Sequence, residues 1–130
     1  MIALDTSAIV AMALNEPEEP DFILAVAAYQ ALVGVPTLLE CRLILTARMA
    51  EAEEFLDGLV RRPSIHPVLF SLEMYGAAAA AFDRFGRGSG HPARLNFGDC
   101  MAYAIAKVHD VPLLYKADDF ARTDIRAALP

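Results

Sequence analysis

Residues 95–107 read LNFGDCMAYAIAK, and this stretch predicts a helix over Phe97–His109 that is buried around most of its circumference. Ala102, Ile105, Ala106 and His109 are spaced at i, i+3, i+4 and i+7, which puts them on one packed face. Asn96 and Asp99 resemble a capping box in which Asp takes the place of the usual Glu or Gln. Asp99 is therefore either a cap or a chemically active group, and the stretch alone leaves both open.

Short apolar runs alternate with helical patterns along the whole chain, which predicts an α/β fold with a mainly parallel sheet. Thr6 or Ser7 is expected to cap the first helix, and Thr37-Leu-Leu-Glu40 matches a capping box for the third. No repeat or linker interrupts residues 1–130, so one domain is expected. Strands are predicted at 1–4, 32–35, 64–69 and 111–115, and helices at 8–14, 21–31, 37–50, 51–62, 71–85 and 97–109.

The composition predicts a globular protein of the cytoplasm. Hydrophobic residues make up 56% of the chain and charged residues 22%. The longest apolar runs, such as 8–14, are too short to span a membrane, and no basic leader precedes the first strand. Cys41 and Cys100 lie in apolar helical patterns without metal-ligand spacing, so we expect buried free thiols in a reducing compartment.

The net charge of −6 argues against a nucleic-acid partner, but the charges are unevenly distributed. Residues 84–130 carry seven basic and five acidic residues, whereas the first 83 carry four basic and twelve acidic residues. A cation bound to several of the acids would neutralise part of the negative charge. Acidity therefore weakens the nucleic-acid interpretation without excluding it.

Several acids are predicted to meet at one edge of the sheet. Asp5 ends the first strand, Glu40 lies in the first turn of the helix after the second, and Asp118 and Asp119 follow the last. Because ligands bind outside the carboxyl ends of parallel strands, these side chains and Asp99 are expected to converge. Glu40 and Asp99 could each be only a cap, and Asp118 and Asp119 could be ordinary turn residues.

Converging carboxylates need protons or a cation. Two carboxylates about 4 Å apart repel by roughly 4 kcal/mol at an effective dielectric constant near 20. Oxygen ligands favour Mg²⁺ or Mn²⁺, which are often completed by water and substrate phosphates. The chemistry that fits is attack of metal-activated water on a phosphodiester.

Four blocks of the sequence resemble the PIN-domain ribonucleases, and most closely the VapC toxins of toxin–antitoxin pairs. The blocks extend from the N-terminus nearly to the C-terminus: LDTSA at 4–8, TLLE at 37–40, LNFGDC at 95–100 and KADDFARTDI at 116–125. The third block is specific to the family, particularly with GHPA at 90–93 ahead of it.

The resemblance implies a three-layer α/β/α domain that hydrolyses RNA with Mg²⁺ or Mn²⁺, leaving a 5′-phosphate and a 3′-hydroxyl. Asp5 and Asp99 would be the principal metal ligands, and Glu40 would act through water or as an assisting base. Many PIN domains carry a further aspartate where this chain has Ala117. The fourth acid is therefore either Asp118 or Asp119, with a slight preference for Asp118.

The resemblance also assigns supporting residues and partners. Thr6 and Ser7 would hold Asp5 by hydrogen bonds, and Asn96 would support Asp99. A VapB-type antitoxin would lay its tail across the pocket, and the protein would form a homodimer. Position near the pocket makes five cations candidates for RNA phosphate contact, of which the last three are preferred: Arg84, Arg87, Arg94, Lys116 and Arg122.

Two other functions fit parts of the pattern. A receiver-like signalling domain would share the size, the βα alternation and Lys116 after a late strand, but it needs an aspartate after its middle strand. Residues 50–56 read AEAEEFL there and predict helix. A non-catalytic PIN-like interaction module would share the fold, but binding alone has no use for mutually repelling acids.

Overall fold

The computed structural model of the chain describes residues 1–130 and contains a four-stranded, all-parallel sheet with strand order β3-β2-β1-β4. The strands are β1 (Ile2–Leu4), β2 (Ala31–Gly34), β3 (Ile65–Val68) and β4 (Leu113–Leu114). The helices are α1 (Thr6–Ala13), α2 (Glu19–Tyr29), α3 (Val35–Thr46), α4 (Ala52–Val60), α5 (Leu72–Phe85) and α6 (Phe97–His109), followed by a 3₁₀ turn at Phe120–Arg122. The predicted α/β class and parallel sheet are confirmed.

The sheet is covered on both faces, which gives three layers. Strand side chains alternate between the faces, so that Ile2 and Leu4 pack with helices α1–α4 while Ala3 packs with α5 and α6. Both faces of the short strands are therefore apolar, as is usual for parallel sheets. None of the helices combines the length and the apolar character that a membrane crossing requires.

Helix α6 spans the residues that its pattern predicts, and Asn96 and Asp99 form both halves of the expected capping box. Ala102, Ile105 and Ala106 are buried as expected. The prediction that His109 packs on the same face is wrong, because His109 lies exposed in the last turn, next to the C-cap Asp110. The free thiols of Cys41 and Cys100 are buried, as predicted.

Two predicted caps are wrong. Asp5, rather than Thr6 or Ser7, caps α1 by accepting a hydrogen bond from the Ser7 backbone N–H. Helix α3 begins at Val35, two residues before the predicted cap Thr37, with Gly34 at its N-cap and no side-chain cap. The early start follows from Pro36, whose fixed φ suits the first turn of a helix. Glu40 is therefore not a capping-box partner of Thr37.

Candidate active site

The strand order reverses between β1 and β4, and this switch point organises the site. Such a reversal opens a crevice at the carboxyl ends of the two strands. Asp5 directly follows β1, and Lys116–Asp119 lie shortly beyond β4. The two segments are joined by the Lys116 backbone N–H, which donates to the Ser7 hydroxyl over 2.9 Å.

Asp5 is held rigidly through one carboxylate oxygen only. Its Oδ2 accepts from the Ser7 backbone N–H at 3.0 Å and from the Ser7 hydroxyl at 2.6 Å. Its Oδ1 is buried and has no hydrogen-bond partner. Burial raises the pKa of Asp5 to about 6, and the charges of Asp99 and Glu40 contribute further, although the Ser7 bonds oppose the shift. An ionised, half-satisfied buried carboxylate is costly unless a cation or proton accompanies it.

Glu40 is fixed by two other helices. The Thr6 hydroxyl donates to Glu40 Oε1 across 34 residues of sequence. The carboxylate lies against Gly98, and a Cβ on that glycine would lie 2.5 Å from the Glu40 carboxyl carbon. Thr6 therefore contacts Glu40, whereas the sequence predicted that it would hold Asp5. Ser7 alone fills the predicted role at Asp5.

Asp99 caps helix α6 and also lies near Asp5 and Glu40. These three carboxylates are called the acidic group. Its Oδ2 accepts from the Asn96 backbone N–H at 3.0 Å, and Asn96 Oδ1 accepts from the Asp99 backbone N–H at 2.8 Å. Partial burial raises the pKa of Asp99, and the nearby charges of Asp119 and Glu40 raise it further. The Asn96 bond and the charge of Arg87 act in the opposite direction.

Asp118 and Asp119 are both exposed but act on different neighbours. The charge of Asp119 reaches Asp99, whereas that of Asp118 reaches Tyr115 and raises its pKa together with burial. The preceding Ala117 has φ +77°, which is uncommon for a residue with a side chain and turns the chain sharply. Of the two, Asp119 is therefore the residue whose charge acts on Asp99.

The candidate phosphate-binding cations differ in their availability. Lys116 Nζ lies 3.3 Å from Glu16 and 3.5 Å from Glu18, so its charge is already partly compensated. Arg94 and Arg122 are exposed at the surface. Arg87, which is not one of the three cations preferred from the sequence, lies close enough to lower the pKa of Asp99.

Arg87 is carried by an ordered loop. Its backbone N–H donates to the Leu95 carbonyl at 3.0 Å, and the Leu95 N–H donates to the Phe85 carbonyl at 2.9 Å. This pair of bonds closes the glycine-rich segment 86–95 in front of α6. The signal that could have singled out Arg87 is its place at the start of that loop.

The acidic group has the donor chemistry of a Mg²⁺ or Mn²⁺ site, although no three of its side chains already lie in metal-ligand geometry. All of its donors are oxygens, which hard divalent ions prefer. The unpartnered Oδ1 of Asp5 supplies a free buried lone pair, and the charges of Asp99 and Glu40 act upon it. The residues present therefore fit such an ion.

Comparison with known proteins shows where this arrangement belongs. The PIN-domain family model matches residues 2–126. Ribonuclease VapC30 of Mycobacterium tuberculosis is 39% identical, over 99% of this chain and 100% of its own length. The chain belongs to the VapC family of PIN-domain ribonucleases.

Solved structures of VapC proteins share this fold at low sequence identity. VapC20 of Mycobacterium tuberculosis, a sarcin–ricin loop cleaving toxin, is 15% identical with a TM-score of 0.77 over 96% of each chain. The VapBC2 complex of Rickettsia felis, bound to a promoter DNA fragment, is 14% identical with a TM-score of 0.75 over 98% of this chain and 96% of its own. Membership of the VapC family sets aside the receiver-like alternative.

Proposed function

We propose that this VapC-family protein is a Mg²⁺- or Mn²⁺-dependent endoribonuclease and the toxin of a VapBC-type pair. The observation that carries the proposal is that the buried carboxylate of Asp5, at the switch point of the sheet, has one oxygen without a hydrogen-bond partner. The negative charges of Asp99 and Glu40 lie near enough to raise its pKa. A non-catalytic module would gain nothing from keeping this repulsion. The VapC relatives named as ribonucleases support the same assignment.

Each acid has a distinct role in the proposed reaction. Asp5 and Asp99 would hold the metal, oriented by Ser7 and Asn96 respectively. Glu40, held by Thr6, would support the ion through water or accept a proton. When bound, the divalent ion lowers the pKa of a water and polarises the scissile phosphate. No covalent protein nucleophile is needed.

Cleavage of end-labelled RNA by purified protein tests the proposal. The wild type should cut with Mg²⁺ or Mn²⁺ and not with EDTA, and Asp99→Asn should reduce the rate by roughly 10²–10³-fold because it removes a charged metal ligand. Asn retains an oxygen that can accept from the Asn96 N–H, so the cap should survive. Glu54→Gln, an exposed acid on α4, is the matched control. Undiminished cutting by Asp99→Asn would contradict the assigned site.

The same assay identifies the fourth acid. Asp119→Asn should slow cleavage by roughly tenfold, as expected for a group that acts through a metal ligand. Asp118→Asn serves as its neighbour control and should change the rate little. The reverse order of effects would restore the preference for Asp118 from the sequence.

The exposed cations are proposed to hold RNA phosphates by direct contact. Arg87 and Arg94 on the loop 86–95, together with Arg122, are not among the paired side chains of the structure, whereas Lys116 pairs with Glu16 and Glu18. Arginine suits phosphate because its planar group can donate two hydrogen bonds at once. We therefore place Arg87 beside the cations preferred from the sequence.

Two apolar surfaces, one of them beside Glu40, support protein partners, namely a VapB-type antitoxin and a second copy of the chain. Leu39, Leu43 and Phe97 are exposed around a pocket of about 440 Å³ next to Glu40. Leu24 and Tyr29 border a larger groove between α2 and the C-terminal residues. Large exposed apolar patches commonly mark interaction sites, and toxin–antitoxin complexes are among the structural neighbours.

Co-expression with a VapB-type antitoxin, followed by light scattering, tests the partners. The toxin alone should have the mass of a dimer, and the complex should be larger and inactive on RNA. Leu39→Asp should disrupt one of these assemblies because it places a charge on an apolar surface. A monomer that neither binds nor is inhibited by its co-expressed protein would contradict the partner assignment.

A further inference from the structure

We infer that Thr6 and Gly98 form a seat that fixes the Glu40 carboxylate near Asp5 and Asp99, and that both are positioning residues for the proposed nuclease reaction. The inference rests on that proposed function. It concerns how the third acid is placed, which neither the capping-box pattern nor the comparisons indicate.

Gly98 is a glycine for reasons of space. It lies buried in the first turn of α6, and its backbone does not have the positive φ that marks Gly88 and Gly90. A Cβ there would lie 2.5 Å from the Glu40 carboxyl carbon, whereas carbon atoms in contact prefer about 3.5–4.0 Å. Glycine within a helix weakens it relative to alanine. The sequence therefore keeps a helix-weakening residue where the Glu40 carboxylate needs room.

Thr6 supplies the polar half of the seat. Its hydroxyl donates to Glu40 Oε1, so the carboxylate is gripped from α1 as well as from α6. Thr37, the local residue that the sequence pattern paired with Glu40, leaves its own hydroxyl buried and unpartnered. The long-range contact has thus replaced the local one.

The seat is connected directly to the two principal acids. Thr6 is the residue after Asp5, and Gly98 is the residue before Asp99. Glu40 is thereby fixed relative to both carboxylates through one peptide unit on each side. A carboxylate held from two helices in this way is restrained from moving away from the other two, so one of the three acids is oriented before a cation binds.

Gly98→Ala is the decisive variant. The added methyl group should displace the Glu40 carboxylate and lower kcat for RNA cleavage by roughly 10–100-fold, as for other groups that orient metal ligands. KM should change little, because the substitution leaves Arg87, Arg94 and Arg122 unaltered. Gly76→Ala is the matched control: Gly76 lies in α5 with open space around its Cβ position, so cleavage should be unchanged.

A double-mutant cycle separates the seat from a general packing role. In a Glu40→Ala background, Gly98→Ala should cause no further loss of cleavage and no further fall in Tm, because the displaced carboxylate is gone. Equal losses in both backgrounds would overturn the inference, as would full activity of Gly98→Ala. Thr6→Ser should retain far more activity than Thr6→Val, which tests the seat even if Gly98→Ala does not fold.

The two hypotheses fail in different ways. If the wild type cuts and Gly98→Ala cuts equally well, the seat is refuted and the nuclease function stands. If the wild type cuts no RNA, the proposed function fails. The Tm values of the double-mutant cycle between positions 40 and 98 then decide alone whether the seat exists. A fall in Tm that is independent of Glu40 would then reject it.

Discussion

Asp5→Asn should abolish RNA cleavage and, in EDTA, make the protein more stable than the wild type. Loss of this proposed metal ligand should lower the rate by roughly 10²–10³-fold or more. The gain in stability has a separate cause. Asn can accept both Ser7 hydrogen bonds through its oxygen, while its NH₂ group replaces the unpartnered Oδ1 and removes the negative charge that burial disfavours.

The sign of the pH dependence follows from the raised pKa of Asp5. Its pKa is about 6 in the folded protein against 3.8 ordinarily, so the unfolded chain releases this proton first as the pH rises. The contribution of the Asp5 carboxyl to the free energy of unfolding is therefore highest below pH 3.8, falls between about pH 4 and pH 6, and stays low at higher pH. The full loss is about 3 kcal/mol, at roughly 1.4 kcal/mol per pKa unit.

Urea unfolding in EDTA at two pH values measures this effect. The gain in unfolding free energy from Asp5→Asn should be about 2 kcal/mol larger at pH 8 than at pH 4.5, because at pH 4.5 Asp5 is still protonated in the folded protein. Glu54→Gln, which removes an exposed acid, should show no comparable difference. A variant that is less stable than the wild type at pH 8 would show that the Asp5 carboxylate is not strained as described. Stability gained where function is lost is the usual trade-off at active sites.

The parts of the fold that depend on local pattern could be predicted from the sequence. Both ends of α6 follow from the Asn96–Asp99 capping box and from the apolar run that ends at His109. The places of Asp5 after β1 and of Lys116–Asp119 after β4 follow from the short apolar runs that precede them. Parallel pairing of β1 and β4 brings the carboxyl ends of these two strands to one edge of the sheet. These predictions hold because local propensity and tertiary packing favour the same structure.

The partners of Glu40 could not be predicted, because they depend on long-range contacts. The pattern Thr37-Leu-Leu-Glu40 fits a capping box, yet Pro36 allows the helix to begin earlier. The Glu40 carboxylate instead accepts a hydrogen bond from the Thr6 hydroxyl, 34 residues away in the sequence. The close approach of Gly98 had one visible signal, a glycine inside a helical pattern, which can mark tight packing.

The choice between Asp118 and Asp119 likewise depends on three-dimensional structure. Both residues have the same chemistry and follow the same strand, so residue type and spacing do not separate them. The positive φ of Ala117 sets the direction in which the chain leaves β4. Such a conformation is held by surrounding contacts and has no signature in an alanine.

Mn²⁺ should raise the Tm of the wild type by about 8 °C when its concentration is about 100 times Kd, and it should hardly affect Asp5→Asn. Binding to the folded state alone at that ratio contributes about 2.7 kcal/mol, and about 3 °C per kcal/mol is expected for a chain of this size. The Tm shift reports indirectly on the repulsion among the acids. Only the folded protein brings these carboxylates close together, so only the folded protein binds the cation at this site.

The pH dependence of the Mn²⁺ shift distinguishes a site at Asp5 from weak binding to the acidic surface. Because the pKa of Asp5 is about 6, protons should compete with Mn²⁺ at pH 5 and the shift should be clearly smaller there than at pH 8. Exposed surface acids are already ionised at pH 5, so binding to them would give similar shifts at both pH values. A shift of equal size in the wild type and Asp5→Asn would place the cation on that surface. A shift that needs both Asp5 and pH above 6 would place it at the switch point, where the RNA phosphate would also have to bind.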